Sequence, residues 1–360
     1  MRLNTVLYIT IIINIIFGLL LFVIFIINRI IRESINLRRQ NAINQLEPLI
    51  NELIFTEDDD IYSWNQDELR LIDKLKDLIR NNKFYTKVLF DMVLQMHKSL
   101  GGNAGIELKQ LYYDLNFDKI SVEKLKKGPW YVKGKAIIEL TQMEVTSAYD
   151  LICRFVDHPE EILRIEAQIA AIVLKKFQGL NFLDNTKRPI PEYQQINLLK
   201  ILSEFEKEDL PDFSKWLESK NDYVIIFAVN MISHFEQISC APKLIKLLTH
   251  KNETVRIAAV KALGNLYFTP ASENFIEIYD KETQKVKIAI LNALGKISTK
   301  NELDFLLRQL EKDDYEISIE AAKSIQSIQR NGVNTLESIY DKSNDSIKAI
   351  IKHTLDKRIS

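Results

Sequence analysis

Five β-branched residues, Val224, Val255, Val286, Ile317 and Ile347, recur at steps of 31, 31, 31 and 30. Eight positions after each stand Ile232, Leu263, Leu294, Ile325 and Leu355. Eleven positions after come Phe235, Leu266, Ile297 and Ile328, and Arg358 breaks the last place. These offsets keep the apolar residues on one face of a helix. Three positions before the column stand Asn221, Asn252, Thr283, Asp314 and Asn344. All five are residue types whose side-chain oxygen can accept from a free first-turn N–H. Val132 and Ile162 extend the column towards the N-terminus at a step of 30, with Pro129 and Pro159 in the −3 place. Proline fits a helix start because its missing N–H has no partner to lose. Ile196 is expected to belong too, at irregular steps of 34 and 28.

A shorter apolar segment precedes each of these helices: Pro211 to Ser219, Pro242 to Thr249, Glu273 to Lys281 and Glu302 to Lys312. The unit is therefore helix A, turn, helix B. Ala228, Ala259, Ala289 and Ala321 lie on helix B, where close approach of helices requires small residues. A single hairpin cannot bury its apolar face, but a stack of them makes a continuous core. Glycine and proline together number only 18, and 27% of residues are charged, which suits long helices. The expected fold is all-α. An N-terminal tail and transmembrane helix occupy 1–28, a juxtamembrane helix and helical connector 29–127, and an α-solenoid 128–360.

The segment from Asn252 to Leu266, NETVRIAAVKALGNL, resembles the B helix of a HEAT repeat, and 283–297, TQKVKIAILNALGKI, resembles the next. The resemblance covers roughly residues 128–360 and implies a HEAT-type solenoid. Three further strings point to a narrower group: HKSLGGNAGIELKQLYYDL (97–115), WYVKGKAIIELTQM (130–143) and GLNFLDNTKRPIPEYQQINLLKIL (179–202). They resemble a family of membrane-anchored HEAT-repeat proteins of Bacteroidetes. Its members typically stand beside genes for a processive family-2 glycosyltransferase and envelope-export components. That resemblance implies a role around a polysaccharide-synthesising membrane enzyme, although fold alone does not fix function.

At the other end, Val6 to Ile27 carries no charge, and 18 of its 22 residues are Val, Leu, Ile or Phe. Such a helix rises about 33 Å, close to the hydrocarbon thickness of a bilayer. At roughly −0.3 to −0.6 kcal/mol per apolar residue its insertion is favourable. The run ends at Asn28-Arg29 with no small-residue cleavage site, so an uncleaved anchor is expected rather than a signal peptide. Arg2 alone precedes the span, whereas Arg29, Arg32, Arg38 and Arg39 follow it. Positive charge stays on the cytoplasmic side. The chain is thus expected in a bacterial inner membrane with its C-terminal part cytoplasmic. The four arginines read as a topology signal, with lipid headgroups as their alternative partner.

In the connector, Ile35, Leu37, Ile43, Leu46, Leu49, Ile50, Leu53 and Ile54 continue a helical stripe, in which Pro48 is expected to introduce a kink. Glu57-Asp58-Asp59-Asp60 reads as a solvated turn and cap rather than a metal site. Helices are predicted over Gln66–Arg80, Phe84–Leu100 and Ile106–Leu115, with a break at Gly101-Gly102-Asn103. Phe84, Phe90, Tyr112 and Tyr113 are expected in the core.

Catalytic signatures are missing from the sequence. His97, His158, His234, His250 and His353 are scattered, with no metal-ligand spacing. No glycine-rich phosphate loop and no nucleophile or kinase motif set appears. Cys153 and Cys240 read as reduced core thiols. Asn252-Glu253-Thr254 matches a glycosylation acceptor but reads better as a helix cap. A formal charge of −1 gives no general attraction to nucleic acid. No cofactor, metal or catalytic residue is expected.

The side chains singled out as interaction or repeat-ladder candidates are Trp130, Trp216, Arg256 and Lys287. Trp and Arg anchor interfaces disproportionately. Trp130 at a repeat start also fits simple packing, and Arg256 with its counterpart Lys287 fits an inter-repeat ladder. The expected function is a membrane-anchored, non-enzymatic scaffold that binds partner proteins, with a membrane glycosyltransferase implied by the narrower resemblance. The competing expectation is an enzyme on a HEAT-like scaffold, of DNA-glycosylase or lyase type. A DNA enzyme needs a basic concave face, whereas Lys243, Lys246 and Lys251 alternate here with Glu253, Glu273 and Glu277. A membrane-state sensor is the third possibility, with topology alone behind it.

Overall fold

The structure is a computed structural model describing residues 2–54, 64–206, 210–297, 302–312, 314–328 and 332–356, without the side chains of 2–7 and 9–11. The acidic run Glu57–Asp60 and the column-breaking Arg358 lie outside the described residues. Every regular element among the described residues is helical. The chain divides into two compact units, Met1–Ala148 and Tyr149–Ser360.

The first unit contains α1 (Arg2–Ile54), α2 (Gln66–Ile79), α3 (Lys83–Ser99), α4 (Gly102–Asp114), α5 (Phe117–Lys127) and α6 (Trp130–Gln142). Helix α1 runs unbroken through Pro48. Its apolar side chains from Ile12 to Ile27 face outward, and this one described helix is long and apolar enough to cross a membrane. Beyond it, Ala42, Leu46, Ile50 and Leu53 are fully buried at helical spacing, so α1 changes from an uncovered rod to a packed core helix. Ile35 and Leu37 stay exposed.

Asn65 opens α2 with a capping box, its side chain accepting from Glu68 N while the Glu68 carboxylate accepts from Asn65 N at 2.7 Å. Phe90, Tyr112 and Phe117 pack ring against ring, with Phe90 and Phe117 centroids 5.1 Å apart in an edge-on arrangement. Tyr113 is exposed. Tyr112 Oη donates to Ser121, Ser121 Oγ donates to the buried Glu139 carboxylate, and Lys124 closes the network on Glu139 at 3.0 Å. Burial pushes the Tyr112 phenol well above its usual range. Burial likewise lowers the His97 pKa, with Lys109 adding to the effect. Helix α5 has no counterpart among the predicted elements. Asn116, at positive φ, turns the chain between α4 and α5, and no glycine advertises that turn.

The second unit is the repeat stack. It comprises α7 (Tyr149–Cys153), α8 (Glu161–Lys175), α9 (Glu192–Leu202), α10 (Asp222–His234), α11 (Ala241–Ile245) and α12 (Glu253–Asn265). Then follow α13 (Ala271–Tyr279), α14 (Gln284–Ile297), α15 (Leu303–Leu310), α16 (Tyr315–Ser327), α17 (Gly332–Tyr340) and α18 (Asp345–Leu355). The B helices are α8, α9, α10, α12, α14, α16 and α18. Several A segments are short and partly 3₁₀, as at Phe213–Trp216 and Lys246–Thr249. Asn221, Asn252, Asp314 and Asn344 each accept from a first-turn N–H at 2.8–3.0 Å. Thr283 instead donates its hydroxyl to Glu253 of the preceding repeat.

The register is more regular than the expected one. The third residues of the B helices, taken from α6 onward, are Val132, Leu163, Gln194, Val224, Val255, Val286, Ile317 and Ile347, at steps of 31, 31, 30, 31, 31, 31 and 30. Leu163 and Gln194 are fully buried, whereas the expected Ile162 and Ile196 are 56% and 60% exposed. The polar Gln194 hides the period: its side-chain amide is buried without a hydrogen-bond partner among the described residues. Neighbouring B helices approach closely. A Cβ on Gly264 would stand 2.9 Å from Ala293 Cβ, and one on Gly295 would stand 2.9 Å from Ser324 Cα. Cys153 and Cys240 are free thiols, and burial pushes both upward in pKa.

Candidate interaction surface

Each B helix is entered from an A–B turn, and in α8, α9, α12 and α16 the fourth residue of the helix ties that turn down. Arg164 Nη1 donates to His158 O at 2.7 Å and to Pro159 O at 3.2 Å. Arg256 repeats the pattern on His250 O at 2.8 Å and Lys251 O at 3.3 Å. Gln195 does the same to Ile190 O, and Ser318 to Lys312 O. His158 and His250 hold equivalent places. Their Nδ1 atoms accept from the N–H of Glu160 and of Asn252 at 3.0 and 3.1 Å, so each imidazole is a turn acceptor.

Successive turns are stitched to one another. Asp157 Oδ1 accepts from the N–H groups of Lys187 and Arg188, and Asn221 Nδ2 donates to Thr186 O and Arg188 O at 3.0 Å. One turn further on, Asn252 Nδ2 donates to Asp222 at 2.7 Å. Arg256 then reaches Glu282, with Nη2 2.9 Å from Oε2 and both side chains largely buried.

These stitched turns enclose a groove of about 890 Å³, lined by residues of three consecutive turns: 183–187, 218–223, and Lys251, Asn252 and Thr254. Trp216 lines it as a buried wall, its Nε1 donating to Asp184 at 2.7 Å and its ring lying 4.0 Å from Lys215 Nζ. Lys187, Lys215, Lys220 and Lys251 are exposed around the groove, facing exposed Glu218. The Asp184 and Asp222 carboxylates are occupied by Trp216 and Asn252. The second residues of successive B helices, Ile162, Tyr193 and Tyr223, are exposed large side chains along the same edge of the repeats, and Tyr223 enters the groove lining. Tyr193 Oη donates to Glu161 at 2.6 Å, and that bond holds the phenol above its ordinary pKa. Sequence patterning missed this stripe because it lies one residue off the core column, where the expected register had placed Ile162 in the core.

The four singled-out residues do not converge. Trp130, in the first unit, is exposed with its ring edge-on to Tyr131 at 5.8 Å. Trp216 lines the groove. Arg256 lies beneath the turn that closes the groove's far end. Lys287, in the fourth-residue place one repeat later, has Nζ 5.5 Å from the Tyr279 ring centroid. Among the described residues no group of three or more His, Cys, Asp or Glu side chains could hold a metal ion.

Comparison with known proteins gives a family match over residues 210–273, to HEAT repeats. A search of curated proteins finds no match. Among solved structures, the Kap95p–RanGDP complex is 14% identical with a TM-score of 0.47, over 89% of this chain and 52% of that one. The CpcE–CpcF complex of phycocyanin lyase from Nostoc is 14% identical with a TM-score of 0.28, over 66% of this chain and 94% of that one. Human deoxyhypusine hydroxylase is 12% identical with a TM-score of 0.27, over 89% and 98% of the two chains. The matched region spans α10, α11 and α12 with two of the three turns that line the groove, so that part of the candidate surface matches HEAT repeats, within an all-helical α-solenoid.

Proposed function

We propose that this chain is a membrane-anchored, non-catalytic adaptor that holds a partner protein on the A–B edge of its HEAT-repeat stack. The observation that carries the reading is the groove across three consecutive turns, flanked by exposed Tyr193, Tyr223 and Ile162. Rigid aromatic side chains beside a concave, polar-rimmed surface are what protein interfaces use as anchors. The lysines around the groove favour a partner segment bearing carboxylates. The uncharged run from Val6 to Ile27 supports anchoring in a bacterial inner membrane, and the arginines after it support a cytoplasmic stack. The strings at 97–115, 130–143 and 179–202 support a membrane glycosyltransferase of exopolysaccharide synthesis or export as the partner.

The test is recovery of partners from native membranes in mild detergent, using the full chain. A specific envelope protein is expected to co-purify. Tyr193→Ala with Tyr223→Ala is expected to cut its recovery at least about tenfold, with unfolding unchanged because both rings are exposed. A chain that stays alone in detergent and after cross-linking in membranes rejects the adaptor reading.

A further inference from the structure

A second groove, of about 510 Å³, lies wholly within the first unit, where α3, α5 and α6 meet. That size is within the usual range for a bound small molecule. Its floor is apolar: Phe90 is buried, and Ile120 and Val132 are half-buried. Its rim is basic. Lys83 and Lys87, one helical turn apart on α3, face the same opening as Lys124 and Lys135, with Asp91 as the one lining carboxylate. Lys124 is already committed, 3.0 Å from the Glu139 carboxylate and 3.9 Å from the Phe90 ring centroid. Lys83, Lys87 and Lys135 are exposed, and among the described residues none of them is paired with a carboxylate. An apolar floor under a surplus of cations fits an occupant with an anionic head and a hydrocarbon body.

The position within the unit says where such an occupant comes from. The Arg38 guanidinium of α1 lies 4.6 Å from the Phe84 ring centroid, and Tyr85 Oη donates to Gln45 of α1 at 3.0 Å. The start of α3, which carries Lys83 and, one turn on, Lys87, is thereby fixed against α1. On α1, Ile31, Ile35 and Arg38 share one face at spacings of four and three, and both isoleucines are exposed. They continue the apolar surface of the anchor up to the turn beside α3. Arg38 sits about 16 Å along the helix from Ile27.

We infer that this groove binds one anionic phospholipid of the anchoring bilayer, its phosphate among Lys83, Lys87 and Lys135 and its first methylenes on Phe90, Ile120 and Val132. The inference rests on the membrane-anchored reading. A lipid held there fixes the height of the first unit over the membrane, a role that the topology signal of the arginines does not require.

The test uses the full chain in a neutral detergent, with native mass spectrometry after adding dioctanoyl phosphatidylglycerol or dioctanoyl phosphatidylcholine. One phosphatidylglycerol is expected to be retained at least about tenfold more strongly than phosphatidylcholine. Replacing all three lysines, Lys83→Gln, Lys87→Gln and Lys135→Gln, is expected to abolish that preference without changing the melting temperature. Arg29→Gln with Arg32→Gln is expected to leave it intact. Equal retention of the two lipids, a triple variant that binds as before, or displacement by inorganic phosphate would overturn the inference. So would an equal loss in the arginine variant, which would mark a diffuse basic collar. An alkaline carbonate wash of membranes separates the two claims. A chain washed free sinks the anchor, whereas a retained chain indifferent to lipid charge sinks the groove alone.

Discussion

Arg256 illustrates how much one side chain carries in a repeat protein. Its guanidinium spends one nitrogen on two carbonyls of its own turn and the other two on Glu282 of the next. A planar fork with five donors suits this double task, and a lysine ammonium does not. Removing it strands a largely buried carboxylate and frees two turn carbonyls. Arg256→Ala is expected to lower unfolding free energy by about 3–5 kcal/mol, read from the denaturant midpoint, with Arg256→Lys recovering less than half. An interface role alone would leave that midpoint unmoved. The sequence already suggested a ladder arginine here, from its place after a core valine. What it did not suggest is that Arg164, Gln195 and Ser318 perform the same capping of turn carbonyls. Those residues share a position, not a chemistry that a pattern search would group.

At the scale of helices, spacing between repeats is set where B helices touch. Gly264 and Gly295 each stand twelve places after their helix caps and meet Ala293 and Ser324 of the next helix. The contact on Gly295 is reinforced by Ser327 Oγ donating to Gly295 O at 2.9 Å. A methyl group at either glycine falls inside the distance that backbone and Cβ atoms tolerate, so the helices must separate. Gly264→Ala and Gly295→Ala are each expected to destabilise the stack by about 1–3 kcal/mol, against the helix-propensity gain such a change normally brings. The sign of the effect, measured by thermal or chemical unfolding, is the check: stabilisation by either change contradicts the close packing. The caps that begin the helices were legible as residue types. The turns that end them were less so. Glu144, Glu236 and Tyr267 adopt positive φ at helix C-termini, where glycine is the usual signal, and nothing in those side chains announces it.

For the molecule as a whole, stability should vary along the stack, because each repeat is held chiefly by its neighbours. The third-residue positions Val224, Val255 and Val286 are fully buried, whereas Ile347 of α18 is only partly covered. Amide hydrogen exchange is therefore expected to be about tenfold or more slower in α10, α12 and α14 than in α18. Uniform protection from α10 to α18 would mean a single cooperative block instead. The period near 31, the polar caps and the uncharged apolar run follow from local rules of helix geometry and transfer from water. For that reason helical class, repeat architecture and the membrane-length helix could be read residue by residue. Both grooves, the exposed tyrosine stripe and the buried Gln194 depend instead on which residues distant in sequence meet. Asp157 reaches Lys187 and Arg188, Asn221 reaches Thr186, and Lys83 shares an opening with Lys135 only once α3 and α6 are packed. Such meetings are decided by the free energy of burying all the helices together, and no single segment encodes them.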